Sequence, residues 1–410
     1  MKVPALDLKA QYKRIEREIE EAVQRTLSSG SYILGETVHK FEAEAAEYLG
    51  APHAVAVASG TDALSLSLRC AGVGPGDGVV TSPFTYFATT EAVLHLGAVP
   101  IYVDTDKETF NLSLAALGDY FRKHTEKRKS SRFPVDRKLG VPVKAVMPVH
   151  LYGLPADMAG ICALAKELGV SVVEDAAQAF GAGIQAGRGR FRMAGTFGDA
   201  GCFSFYPTKN LGAYGDGGLV TVGTSKADQA LRLLRCHGET GRHRHQVLGF
   251  NSRLDAVQAA ILSVKLRHLK TWSEERIEKA GNYIRLFEES WLAGASGAKG
   301  PQAATDDAPL RLPLAPETYR HIYHQFTLRA RKRDELRAHL ESRGVAAIVH
   351  YPVPAYRQPA LRTYRWGGIP CRTAEKHCRE VLCIPIFAEL TDQQQRFVVE
   401  SIQEFYRLMA

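Results

Sequence analysis

The sequence predicts an α/β protein built on a mostly parallel sheet flanked by helices, with a smaller second domain. Three observations carry this. Short apolar or β-branched runs alternate with segments of helical period over roughly the first half of the chain. Small or Gly-containing polar turns follow several of those runs, where open α/β sheets place their ligands. The 410 residues, 45% hydrophobic and 23% charged, have globular composition and bury enough surface to need no disulfide or metal staple.

Taken in order, Ile15, Ile19, Val23 and Leu27 share one helical face, and Ser-Ser-Gly-Ser after residue 27 ends that helix. A second helix is expected around Val38–Tyr48. Strands are expected at Ala54–Ala58, Val79–Thr81, Val99–Val103, Ala145–Val149, Val170–Val173, Cys202–Phe205 and Leu219–Val222, a seven-stranded sheet. Helices are expected at Thr61–Cys70 and near Thr90–Leu96. Leu254 to about Phe287 reads as one long helix with charged faces. The stretch 293–309, rich in Gly, Ala and Pro, reads as a surface loop. A strand at His321–Arg329, a helix at Arg333–Arg343 and a strand at Ala346–His350 then suggest a βαβ-like unit. The expected division is a large domain, 1–260, and a small C-terminal α/β domain, 261–410, that includes the long connecting helix.

Composition narrows the function classes. No apolar run approaches 20 residues, and the amino terminus turns charged too early for a signal peptide. Seven cysteines without a CxxC pair read as reduced thiols of a cytoplasmic protein, with no metal site expected. The net charge of +8 favours an anionic partner. Much of the excess lies between Arg122 and Lys138, expected to be a solvated loop dispensable for catalysis. No nucleic-acid-binding motif accompanies it.

Four segments after strands carry chemistry. Lys209, in Ser-Phe-Tyr-Pro-Thr-Lys-Asn, is either an exposed loop lysine or a desolvated amine able to form a Schiff base. Asp175, in Val-Glu-Asp-Ala-Ala-Gln, is either a helix N-cap or the carboxylate partner of a protonated pyridine nitrogen, with Gln178 within reach of a ring oxygen. Ser59-Gly60-Thr61 is either a helix cap or an anion cradle. Phe84, Tyr86 and Phe87 are either core aromatics or a stacking platform. Together, phosphate donors, a stacking ring, an acid and an amine are the parts that pyridoxal 5′-phosphate requires.

The ordered strings FSFYPTKNLGAYGDGG, VEDAAQ, SGTDAL, ALDLKAQY, GSYILG, VMPVHLYG, GFNSRLDAVQAAIL, HIYHQF, VHYPVPAYRQPA and EVLCIPIFAELT resemble the nucleotide-sugar aminotransferases of the DegT/StrS group. The resemblance covers nearly the whole chain. It implies a fold type I pyridoxal-phosphate-dependent transferase that moves an amino group from L-glutamate to a nucleotide-linked 3-keto- or 4-keto-hexose. Carbon 3 is favoured by HIYHQF and HYPVPAYRQPA. Lys209 would hold the cofactor and serve as the acid–base group. Asp175 would pair with the ring nitrogen, Gln178 with the ring oxygen, and Tyr86 would stack on the ring. Gly60, Thr61 and Ser204 would hold the phosphate, with Asn251 contributed by the neighbouring subunit. Tyr32, Arg253, His350 and Tyr351 would face the sugar nucleotide, largely from the partner chain of a homodimer with shared sites. Two alternatives are a dehydratase branch of the family, which has His where this chain has Lys209, and a cofactor-bound regulatory protein without turnover. The Arg-rich loop from Gly187 to Arg192 departs from the family pattern.

Overall fold

The computed structural model describes residues 1–187, 189–290, 292 and 308–409. Helix α1 (Leu8–Ser29) ends on Gly30 at φ 67°, a left-handed position that glycine takes without a Cβ penalty. Next come α2 (Gly35–Leu49), β1 (His53–Val57), α3 (Gly60–Cys70), β2 (Gly78–Thr81), α4 (Ala88–His95) and β3 (Val99–Tyr102). After these lie α5 (Leu114–His124), a short hairpin of β4 (Thr125–Glu126) and β5 (Val135–Asp136), then β6 (Val143–Met147) and α6 (Met158–Leu168). The large region closes with β7 (Ser171–Asp175), the hairpin β8 (Gly183–Gln185) and β9 (Phe191–Met193), β10 (Ala200–Ser204), β11 (Gly218–Val222), α7 (Ser225–Arg235), and the exposed hairpin β12 (Glu239–Gly241) and β13 (Arg244–His245).

Helix α8 (Ala256–Glu288) leads to β14 (Leu310–Arg311), β15 (Tyr319–Arg320), β16 (Phe326–Ala330) and α9 (Arg333–Ser342). The chain then adds β17 (Gly367–Gly368), α10 (Arg372–Glu380), β18 (Val381–Ile384) and α11 (Asp392–Arg407).

The main sheet runs β1-β11-β10-β7-β6-β2-β3-β17. The seven expected strands are present, and the two-residue β17 adds an eighth at the β3 edge. Strand β11 is antiparallel to β1 and β10, and the other pairings are parallel. Alternation along β1 divides the core. Val55 and Val57 join Leu64, Leu66 and Val93 on one face, whereas Ala54 and Ala56 join Phe41, Phe203 and Leu262 on the other. Leu262, Leu266 and Leu269 of α8 pack with the large sheet, and Ala280, Tyr283 and Phe287 pack with the C-terminal core. One helix thus serves both.

Several expectations are corrected. Residues 346–350 form no strand: only Ile348 bridges to Cys383. Strand β16 begins at Phe326 rather than His321. The C-terminal sheet is the antiparallel β14-β16-β18, not a parallel βαβ unit. Turns, not a helix, follow Asp175. The basic stretch is folded as the end of α5 plus the β4–β5 hairpin. Its exposed Arg122 and Lys123 pair with Asp119, and Arg128 and Arg137 pair with Glu126. The Gly/Ala-rich segment 293–307 and Arg188 lie outside the described residues.

Candidate active site

The carboxyl ends of β1, β2, β7 and β10 open onto one cleft of about 500 Å³. Gly60, Thr61, Tyr86, Asp175, Gln178, Ser204, Lys209, His350 and Tyr351 all line it. Seven of these nine lie at or just after strand ends, and His350 and Tyr351, expected from the family resemblance, join them from the C-terminal part of the chain.

Asp175 is the last residue of β7 and is 4% exposed. Its backbone is fixed on both sides, by donation to Pro148 O (2.8 Å) and acceptance from His150 N (3.0 Å). Burial pushes its carboxyl pKa upward. Donation from Thr89 Oγ1 (2.8 Å) and Ala177 N (3.2 Å), with Lys209 and His150 nearby, opposes that push. Thr89 in turn shares a 2.8 Å hydrogen bond with Thr85. Neither threonine was singled out from sequence. A threonine 86 residues from its carboxylate partner leaves no local signal.

Lys209 sits in a tight loop after β10, its amide donating to Tyr206 O at 2.8 Å. Its ammonium makes no hydrogen bond or ion pair among the described residues. Burial lowers its pKa to about 8, and Asp175 partly opposes this. An amine held near neutrality and facing a cleft can act as nucleophile and base.

Gly60 opens α3, and Ser59 caps the helix by accepting from Asp62 N at 3.1 Å. A Cβ at Gly60 would lie 2.6 Å from Ser204 Cβ, so only glycine lets these two strand ends approach. The α3 amide end, with Thr61 and Ser204, forms a place for an anion. Tyr86 is 61% exposed at the mouth, free to cover a planar ring.

Gln178 accepts from Tyr152 N (2.7 Å) and donates to Tyr351 Oη (3.0 Å). One of its amide hydrogens stays available. The buried Tyr152 hydroxyl donates to the His350 carbonyl, anchoring the His350–Tyr351 segment against the cleft. Burial, then the charge of Lys209, lowers the His350 pKa. His324, also in the lining, is pushed strongly down by burial and paired through Nδ1 with Asn210 Oδ1 at 3.0 Å.

Tyr32, Asn251 and Arg253 do not line this cleft. Ala256 N donates to Tyr32 O (2.8 Å), and Asn251 bridges to Cys236. Tyr32 and Asn251 are exposed and Arg253 is half-buried. No cluster of metal-ligating side chains occurs, and no helix is long and apolar enough to cross a membrane, among the described residues.

The cleft's parts fit pyridoxal phosphate: an anion cradle closed to side chains at Gly60, a buried carboxyl that accepts from Thr89 Oγ1 and Ala177 N, and an unpaired amine. Comparison with known proteins agrees. A "Pleiotropic regulatory protein" of Geobacillus stearothermophilus is 42% identical, covering 100% of both chains. A "UDP-N-acetyl-3-dehydro-alpha-D-glucosamine 3-aminotranferase" of Acidithiobacillus ferrooxidans is 40% identical over 96% of this chain and 95% of that one. The crystal structure of S. venezuelae DesV in complex with a ketimine intermediate superposes with TM-score 0.84 at 38% identity, covering 98% of each chain. The model of the DegT/DnrJ/EryC1/StrS aminotransferase family matches residues 13–403, and the chain belongs to that family.

Proposed function

We propose that this chain is a pyridoxal-phosphate-dependent aminotransferase that moves an amino group from L-glutamate to a nucleotide-linked keto-hexose, at carbon 3, in amino-sugar or surface-polysaccharide synthesis. Relatives are named as nucleotide-sugar 3-aminotransferases, and solved neighbours of this fold hold the pyridoxal or pyridoxamine form of the cofactor. The observation that carries the reading is the unpaired Lys209 amine, its pKa lowered to about 8, in the same cleft as the hydrogen-bonded Asp175 carboxylate.

The bound cofactor supplies an electron sink for a carbanion next to nitrogen. The chain's residues do the rest. Lys209 Nζ takes the α-proton of the donor and returns a proton to the acceptor carbon, which a pKa near neutrality suits. Asp175, which accepts from Thr89 Oγ1 and the Ala177 amide, would hold a proton on the ring nitrogen. The amide end of α3, Thr61 and Ser204 bind phosphate, Gln178 orients the ring oxygen, and Tyr86 covers the ring.

His350 and Tyr351 face the sugar nucleotide. Tyr32, Asn251 and Arg253, outside the cleft lining, serve the site of a second subunit in a two-fold homodimer. The protein works in the cytoplasm. Residues 1–260 form the cofactor domain and 261–410 the smaller domain.

Screening UDP- and dTDP-linked 3-keto and 4-keto hexoses for glutamate-dependent amination tests this. Amination of a 3-keto substrate supports it, and amination of 4-keto substrates alone overturns the carbon assignment. The name of the 42%-identical relative raises a regulatory reading. That reading differs in one outcome: cofactor binding with no turnover on any member of the panel.

A further inference from the structure

Lys265 is a buried cation that the proposed chemistry does not use. It sits on α8, is 1% exposed, and lies on the side of α8 turned toward the Lys209 loop. A desolvated ammonium is costly, and burial lowers its pKa to about 8, with Glu389 the only opposing charge. Its surroundings show what it holds. Nζ donates to Gly212 O at 2.6 Å and lies 4.5 Å from the centre of the Tyr214 ring, which covers it. About two turns earlier on α8, Gln258 accepts from Tyr214 N at 2.9 Å. Gly212 is itself tightly placed, since a side chain there would collide with the Pro207 carbonyl. Lys209 lies between Pro207 and Gly212. Fixing the Gly212 carbonyl therefore fixes the exit of the loop that carries the amine.

We infer that Lys265 is a positioning residue for Lys209: its ammonium, donating to the Gly212 carbonyl and capped by the Tyr214 ring, locks the loop from Pro207 to Tyr214 onto α8. This rests on the reading of Lys209 as the reactive amine. Lys265 itself touches neither the cleft nor substrate.

The test compares Lys265→Met, which keeps the bulk and loses both charge and donor, with Lys265→Gln, which keeps a donor. In Lys265→Met, kcat falls about ten- to a hundredfold while KM for the keto-sugar changes little, because misplacement of a catalytic group by about 1 Å costs up to this much. Lys265→Gln recovers part of the loss. Hydrogen–deuterium exchange of the cofactor-free protein supplies a readout independent of turnover. The amides of Ala213 and Tyr214, which donate to Phe205 O and Gln258 Oε1, exchange faster in Lys265→Met while the main-sheet strands remain protected. Unchanged exchange in this loop overturns the lock, even if Lys209 proves to be the reactive amine. Faster exchange with unchanged kcat overturns its catalytic consequence. If Lys265→Met does not fold, Tyr214→Leu and Lys265→Gln make the same comparison. Wild-type exchange and kcat in both variants overturn the proposal.

Discussion

Thr89 Oγ1 donates to Asp175 Oδ2 at 2.8 Å, joining the start of α4 to the end of β7 through the floor of the cleft. Burial pushes the pKa of this carboxyl upward. The threonine is one of two donors that oppose it. Replacing Thr89 with Val keeps the shape and removes the donor, so the Asp175 pKa rises further. A hydrogen bond to a charged group contributes about 1.5–3 kcal/mol, and one pKa unit is about 1.4 kcal/mol. The acid limb of the glutamate half-reaction in Thr89→Val therefore moves up by about one pH unit or more. A pH–rate profile with its acid limb unmoved removes Thr89 from this role.

Lys209 makes a pH-dependent contribution to folding. Its folded-state pKa, about 8, lies below the ordinary 10.5, so the unfolded chain binds more protons between these values. The penalty for burying the charge is fully present below pH 8 and is relieved as pH rises toward 10.5. Without cofactor, Lys209→Met should be more stable than wild type by about 1–3 kcal/mol at pH 7, a gap that closes with rising pH. Urea unfolding of both proteins from pH 7 to 10.5 measures this. A gap that is constant or widens with pH contradicts the burial.

Glu174, next to Asp175 but pointing to the opposite side of β7, is fully buried and accepts four hydrogen bonds. Gly195 N (2.8 Å) and His150 Nε2 (2.9 Å) reach one oxygen, and Phe197 N and Gly198 N (both 2.6 Å) reach the other. Because Ala156 N donates to His150 Nδ1 at 3.0 Å, the His150 proton sits on Nε2, facing Glu174. Glu174→Gln turns an amide NH₂ toward these donors. A loss of about 3 kcal/mol or more in denaturant-measured stability is expected. A loss below about 1 kcal/mol contradicts the four-donor geometry.

Gly60→Ala should weaken cofactor retention more than it alters the fold, because the added Cβ meets Ser204 Cβ at 2.6 Å in the phosphate cradle. Equilibrium dialysis of pyridoxal phosphate should show at least about a tenfold weaker affinity, the equivalent of about 1.4 kcal/mol. Unaltered affinity would place the phosphate elsewhere.

The strands were readable because each is a short apolar run, and strand ends then located Gly60, Asp175, Ser204 and Lys209 in one cleft. Misreadings came where local pattern and tertiary context disagree. The apolar run at 346–350 meets the edge of β18 that β16 leaves open, yet it is bridged there only at Ile348. Asp175 resembles a helix cap, yet its carboxylate is drawn to Thr89 and the following residues turn. Thr85, Thr89, Lys265 and the Glu174–His150 pair had no signature in sequence, because their partners are distant along the chain. Tyr32, Asn251 and Arg253 lie outside the cleft lining.

Among the described residues, the two lysines Lys209 and Lys265 have pKa values lowered to about 8 by burial, and of these Lys209 lines the cleft. Borohydride reduction of the protein loaded with pyridoxal phosphate, followed by peptide mass mapping, asks which amine carries the cofactor. The phosphopyridoxyl group should appear on the peptide containing Lys209, and loading should be lost in Lys209→Ala. Its appearance on Lys265 or any other lysine of the wild-type protein would contradict the assignment of this cleft as the active site.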